Sequence, residues 1–116
     1  MGVQAVSADP DIMMNKIRKN KDVGVQILTK NNLRSDAVIR YNWIEKNLDS
    51  GIFIEGEENY TRIEKNHHIS NNRKAGIRAA EGAQIKVLNN LIFSNYGQGI
   101  LLVDTASGYI EKNEVF

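Results

Sequence analysis

Four glycines, Gly24, Gly51, Gly76 and Gly99, stand 27, 25 and 23 residues apart, and several other columns keep step with them. Each is followed by an apolar–x–apolar triplet: Val25 and Ile27, Ile52 and Ile54, Ile77 and Ala79, Ile100 and Leu102. Four residues before each glycine is an asparagine (Asn20, Asn47, Asn72, Asn95), and seven before is an isoleucine (Ile17, Ile44, Ile69, Ile92). A second asparagine column, Asn15, Asn42, Asn66, Asn90 and Asn113, lies further upstream. Three residues before each of its members stands Ile12, Ile39, Ile63, Val87 or Ile110. Gly2, Val3 and Ala5 open the chain on the same pattern. Self-similarity at such a period outweighs any local propensity, because one unit buries its apolar side only against its neighbours.

The unit is too short for paired helices, and its apolar residues alternate with period two in runs of three to five. Short strands broken by Gly, Asn and Ser at this repeat length describe an all-β chain: a right-handed parallel β-helix of about five coils, 22–27 residues each. The coils are expected at about 2–23, 24–50, 51–75, 76–98 and 99–116. The stacked Ile and Val columns should fill the bore. The asparagines should take the corners, accept a left-handed backbone and bond to the coils above and below. The glycines should supply a positive φ or a close backbone approach. Asn66 to Ile69 spans one residue more than its equivalents, which places a one-residue bulge at His67–His68. No capping unit is evident at either end, so the single domain reads as a segment of a longer solenoid, or as a stack that self-associates through open ends.

Composition narrows the function classes. The 116 residues carry 15 Lys and Arg against 14 Asp and Glu, a net charge of +1, which argues against broad attraction to nucleic acid or an anionic membrane. The absence of cysteine removes thiolate metal sites and thiol nucleophiles. No apolar run approaches a membrane span, and residues 1–10 hold no signal-peptide core, so a cytoplasmic or nuclear setting is expected. The sequon Asn59-Tyr60-Thr61 is then accidental.

The stretches Asp9-Pro10-Asp11-Ile12-Met13-Met14-Asn15-Lys16-Ile17 and Ser107-Gly108-Tyr109-Ile110-Glu111-Lys112-Asn113-Glu114-Val115-Phe116 resemble the β-helix repeats of the F-box-only proteins. Asn42-Trp43-Ile44-Glu45-Lys46-Asn47 and Asn90-Leu91-Ile92-Phe93-Ser94-Asn95 fit the same Asn-x-Ile-x-x-Asn frame. The resemblance covers essentially the whole chain. It implies a β-helix and, for a parent protein, recognition of substrates for a cullin-type ubiquitin ligase. Nothing in these residues resembles an F-box or the zinc-binding module of some relatives. The same frame occurs in carbohydrate-processing β-helices and periplasmic copper-maturation proteins, so a carbohydrate-active fragment with catalytic coils elsewhere is the alternative.

A search for chemistry by column favours binding over catalysis. Outward positions on adjacent coils pair no two carboxylates, as general acid–base work on a glycosidic bond would need, so no enzyme activity and no cofactor is expected. His67 and His68 are adjacent strand residues that point to opposite faces, with no third ligand beside them, so no metal is expected. Arg18, Lys19, Lys21, Arg73 and Lys74 gather near the corners before the glycines, with Asp22 and Asp49 in the same region to balance them. Phe53 and Leu101 should face outward on one sheet with Arg78 between them, and Trp43 shares another outward column with Leu91. Aromatic and Arg side chains on a solenoid face mark a partner surface for a protein or peptide. The alternative is that the longer turn between Glu55 and Tyr60 folds over that face.

Overall fold

The alternation of inward apolar and outward polar residues produces fifteen short strands and no helix in the computed structural model, which describes residues 1–116. In chain order they are β1 Val3–Val6, β2 Asp11–Met13, β3 Lys16–Arg18, β4 Val25–Leu28, β5 Val38–Arg40, β6 Trp43–Glu45, β7 Ile52–Glu55, β8 Arg62–Glu64, β9 His68–Ser70, β10 Ile77–Ala80, β11 Gln84–Leu88, β12 Leu91–Phe93, β13 Ile100–Leu102, β14 Ser107–Glu111 and β15 Glu114–Val115. Every third strand pairs in parallel. Sheet 1 runs β1-β4-β7-β10-β13, sheet 2 runs β2-β5-β8-β11-β14, and sheet 3 runs β3-β6-β9-β12-β15. The chain is a right-handed parallel β-solenoid of about five coils.

The register sets the repeat columns directly above one another. Val3, Val25, Ile52, Ile77 and Ile100 stack, as do Ile39, Ile63 and Val87, and Ile44, Ile69 and Ile92. Seventeen buried residues, most of them Ile, form one continuous core along the bore. Burying such a side chain is worth roughly 1.5–3 kcal/mol, so the inward columns dominate the stability. The ends differ. In the first coil Ile12 and Ile17 are buried, whereas in the last Ile110 and Val115 are 45% and 47% exposed.

From the second coil to the fourth the coils shorten because one corner shortens. Between sheets 1 and 2 the connection runs through residues 29–37, then 56–61, then 81–83, while the other two corners keep nearly constant length. The turn at 56–61 docks against the one before it: Thr29 Oγ1 donates to the Glu57 carbonyl at 2.5 Å, and Ser35 N–H to that of Glu58 at 3.0 Å. It therefore packs at the sheet 1–sheet 2 corner instead of folding over Phe53.

The asparagine columns form two ladders. The backbone N–H and Nδ2 of Asn42 both donate to Oδ1 of Asn66, at 3.0 and 3.1 Å. Asn66 repeats the pattern onto Asn90 and donates Nδ2 to the Ile39 carbonyl one coil back. Asn20, Asn47, Asn72 and Asn95 do the same along the second corner. The left-handed backbone, expected on these asparagines, falls one residue earlier. Met14, Lys19, Tyr41, Lys46, Lys65, Asn71, Asn89, Ser94 and Lys112, each just before a ladder asparagine, have φ between 54° and 59°. The turn is made at that residue, which leaves the asparagine free to aim its amide along the stack. The left-handed state costs an ordinary residue about 1–2 kcal/mol, offset here by the ladder bonds it positions.

The column glycines need room and not a positive φ, which only Gly56 and Gly82 show. A Cβ on Gly51 would lie 2.7 Å from Asn72 Nδ2 and 2.8 Å from the Gly76 carbonyl oxygen. At the third coil, Trp43 pairs with His68 and Ile44 with Ile69, so His67 is the extra residue expected there, set in the corner as a bend.

Candidate functional site

Sheet 1 carries the outward column Gln4, Gln26, Phe53, Arg78 and Leu101, fixed by the parallel register of five consecutive strands. The two glutamines bond to each other, Nε2 to Oε1, at 2.9 Å. The Arg78 guanidinium lies 4.7 Å above the centre of the Phe53 ring, and Leu101 follows on the next coil. All three are half-buried. Phe53, Arg78 and Leu101 thus form one contiguous face, as their columns imply.

That face continues into a groove of about 330 Å³ at the corner of sheets 1 and 3, lined by Ser50, Arg73, Arg78, Tyr96, Leu101 and Val103 among others. Arg73 lies 5.5 Å over the Tyr96 ring. The corner charges separate once placed. Lys74 pairs with Asp49 at 3.3 Å, while Asp22 and Asp49 each accept from the N–H of the next residue, at 2.8 and 2.7 Å.

Trp43 stands apart from this face. It lies on sheet 3 in the column Lys16, Trp43, His68, Leu91 and Glu114, and is 37% exposed. Its ring stacks on His68 at 3.8 Å with the planes 9° apart, and Lys16 Nζ sits 5.1 Å from the ring centre. His68 meets Phe93 edge-on at 5.5 Å, and Phe93 stacks on Phe116 at 5.7 Å. The His67 ring goes elsewhere, 6.2 Å from Tyr41. The two rings therefore lie in different surroundings, and no group of three or more His, Cys, Asp or Glu converges anywhere in the molecule.

Two arrangements escape a reading by column. On sheet 2 a groove of about 530 Å³ gathers Arg34, Tyr60, Arg62, Lys86 and Tyr109. Arg34 lies 4.2 Å over Tyr60 and bonds both oxygens of Asp36, at 2.7 and 2.9 Å, which holds that carboxyl below its usual range. Arg34 and Tyr60 sit on the turns of unequal length, so no fixed spacing reveals their approach. The second is Glu55, whose carboxyl is pushed up by burial and by nearby Glu81, with Arg78 opposing. Glu81 belongs to a turn and so to no strand column. Asn59 of the sequon is fully buried, with Nδ2 donating to the Ile27 carbonyl at 3.0 Å.

Geometry defines the class first: a single-chain parallel β-solenoid with side chains presented in rows on three flat faces. A family model described as "Right handed beta helix region" matches residues 7–116, and the chain belongs to that family. Searches of curated proteins and of solved structures find no match.

Proposed function

We propose that the chain is a non-enzymatic scaffold for binding a protein or peptide, with the Phe53, Arg78 and Leu101 row as its docking face. The observation that carries this is the row itself: a cation stacked on an aromatic ring, followed by an aliphatic residue, on three successive coils beside a groove. Solenoids use extended faces of this kind as binding surfaces, and fully enclosed aromatic and Arg side chains supply most of the energy at such contacts. The resemblance of the repeats to those of F-box-only proteins supports the finer reading, a substrate-recognition part of a ubiquitin-ligase component acting in the cytoplasm or nucleus. Trp43 is a second anchor for the same partner only if that partner wraps from sheet 1 to sheet 3.

The test is affinity capture on the immobilised chain with cross-linking, compared with the Phe53→Ala/Leu101→Ala variant. The specific captured set should be lost from the variant; its survival would remove this face from the account. Release of oligosaccharides from pectin, alginate or hyaluronan by the purified chain would instead favour the carbohydrate-active reading.

A second reading, self-stacking, has one observation in its favour. Ile110 and Val115 are half-exposed where their equivalents one coil earlier, Val87 and Ile92, are wholly buried. A second copy seated there would bring its Lys16, the first member of its column, next to Glu114, the last. Light scattering should then show mass rising with concentration, and a strict monomer at high concentration would exclude it.

A further inference from the structure

The six arginines of the chain divide four to two. Arg18, Arg34, Arg40 and Arg62 each have a carboxylate partner, at 3.5, 2.7, 2.7 and 3.2 Å. Arg73 and Arg78 have none within 4.0 Å, and both line the groove beside the Phe53 row. From the sequence, Arg73 belongs to a corner cluster that Asp22 and Asp49 should balance. In the structure Asp49 is taken by Lys74 and Asp22 by a backbone N–H, so neither neutralises Arg73. Glu55 lies near enough to feel Arg78 without pairing with it.

Both free guanidiniums rest on aromatic rings, Arg73 on Tyr96 and Arg78 on Phe53. Stacking of this kind uses the face of the guanidinium and leaves its planar N–H edge for a carboxylate, the geometry that gives paired, charge-assisted hydrogen bonds. Beside the two cations the groove offers Leu101 and Val103 as apolar lining. It also holds Ser50, whose buried hydroxyl has no hydrogen-bond partner in the molecule. Cations without partners beside apolar lining call for a ligand that is acidic and apolar at once.

We infer that this groove is an acid-specific subsite, in which Arg73 and Arg78 grip a carboxylate side chain of a partner polypeptide while its apolar neighbours pack on Leu101 and Val103. The inference rests on the protein-binding reading above and adds the chemistry that selects the partner. A neutral isostere loses the charge-assisted bonds, and an acidic residue without apolar neighbours loses the packing.

The experiment is a titration of the isotope-labelled full chain, followed by backbone amide NMR, with two acetylated and amidated tripeptides, Leu-Glu-Leu and Leu-Gln-Leu. The acidic probe should shift the amides of Ala75, Arg78 and Leu101 saturably and bind about tenfold tighter than the neutral one, as expected for loss of a hydrogen bond to a charged group. In Arg73→Gln/Arg78→Gln the two probes should become equivalent. Arg73→Gln alone, which keeps the Phe53–Arg78 stack, should lower the discrimination without altering the dispersion of the spectrum. Equal binding of the two probes to the unmodified chain overturns the subsite while leaving the docking face standing. So does partner capture that is lost in Phe53→Ala/Leu101→Ala but unchanged in Arg73→Gln/Arg78→Gln. Failure of the acidic probe to perturb these amides overturns it too.

Discussion

At the scale of single residues, the ladder asparagines hold the stack and the outward side chains vary around them. Asn66 accepts from both the N–H and Nδ2 of Asn42, and donates to Asn90 and Ile39, while 1% exposed. Replacing it with Ala strands a buried N–H and a buried carbonyl, each costing about 1–3 kcal/mol. Asn66→Ala should therefore lose about 3 kcal/mol in urea denaturation, and Asn113→Ala, on the half-exposed last rung, less than about 1 kcal/mol. Equal losses would mean that the ladder is not the tie between coils. Glu55 supplies the pH dependence. Its carboxyl titrates above the ordinary range in the fold, so the stability it contributes is complete below that range and is lost as pH rises through its folded pKa. Glu55→Gln should raise the stability at pH 7, by less than about 1 kcal/mol because the site is partly solvated, with a matching rise in Tm, and should leave both unchanged near pH 3. A melting series against pH that shows the gain at pH 3 instead would contradict the burial argument.

Among elements, what matters is which spacings the fold holds constant. The inward columns are legible in the sequence because a strand flips every side chain if it slips by one residue, so selection for a filled bore writes an exact period into the strands. The turns between sheets 1 and 2 are under no such rule. Lys46, Lys65 and Lys112 adopt the left-handed backbone although nothing in a lysine announces it; the asparagine that follows is the visible mark. Arg34 and Tyr60 meet across turns of unequal length, and that contact could not be counted out beforehand, whereas Arg73 and Tyr96 each follow a ladder asparagine by one residue in a corner of constant length, so their contact could be. So could the Phe53, Arg78 and Leu101 row, because all three lie on strands in one register. His67 marks the boundary between these cases. It is an extra residue in a corner, and β9 regains register at His68. Deleting one histidine of the pair should leave the strand pairing intact and change stability by less than about 1 kcal/mol, as is usual for a change outside core and ladder. Deleting Ile69 should cost several kcal/mol, since it turns the following residues out of the bore. Thermal unfolding followed by circular dichroism distinguishes the two; comparable losses would place the register elsewhere.

For the molecule as a whole, stacked coils make a body of 34 × 25 × 23 Å with three flat faces of different character. Sheet 1 presents the Phe53 row and its arginine-lined groove. Sheet 2 presents tyrosines with paired cations. Sheet 3 presents the rings from Trp43 to Phe116. Every functional statement depends on residues about two dozen positions apart being nearest neighbours in space. Methyl-selective NMR of the isoleucines tests this directly. The stack requires through-space cross-peaks for Ile27 with Ile54, Ile39 with Ile63, Ile44 with Ile69 and Ile52 with Ile77. Cross-peaks linking these methyls to sequence-local partners, or in the crossed order of antiparallel hairpins, would contradict the fold and every face built on it.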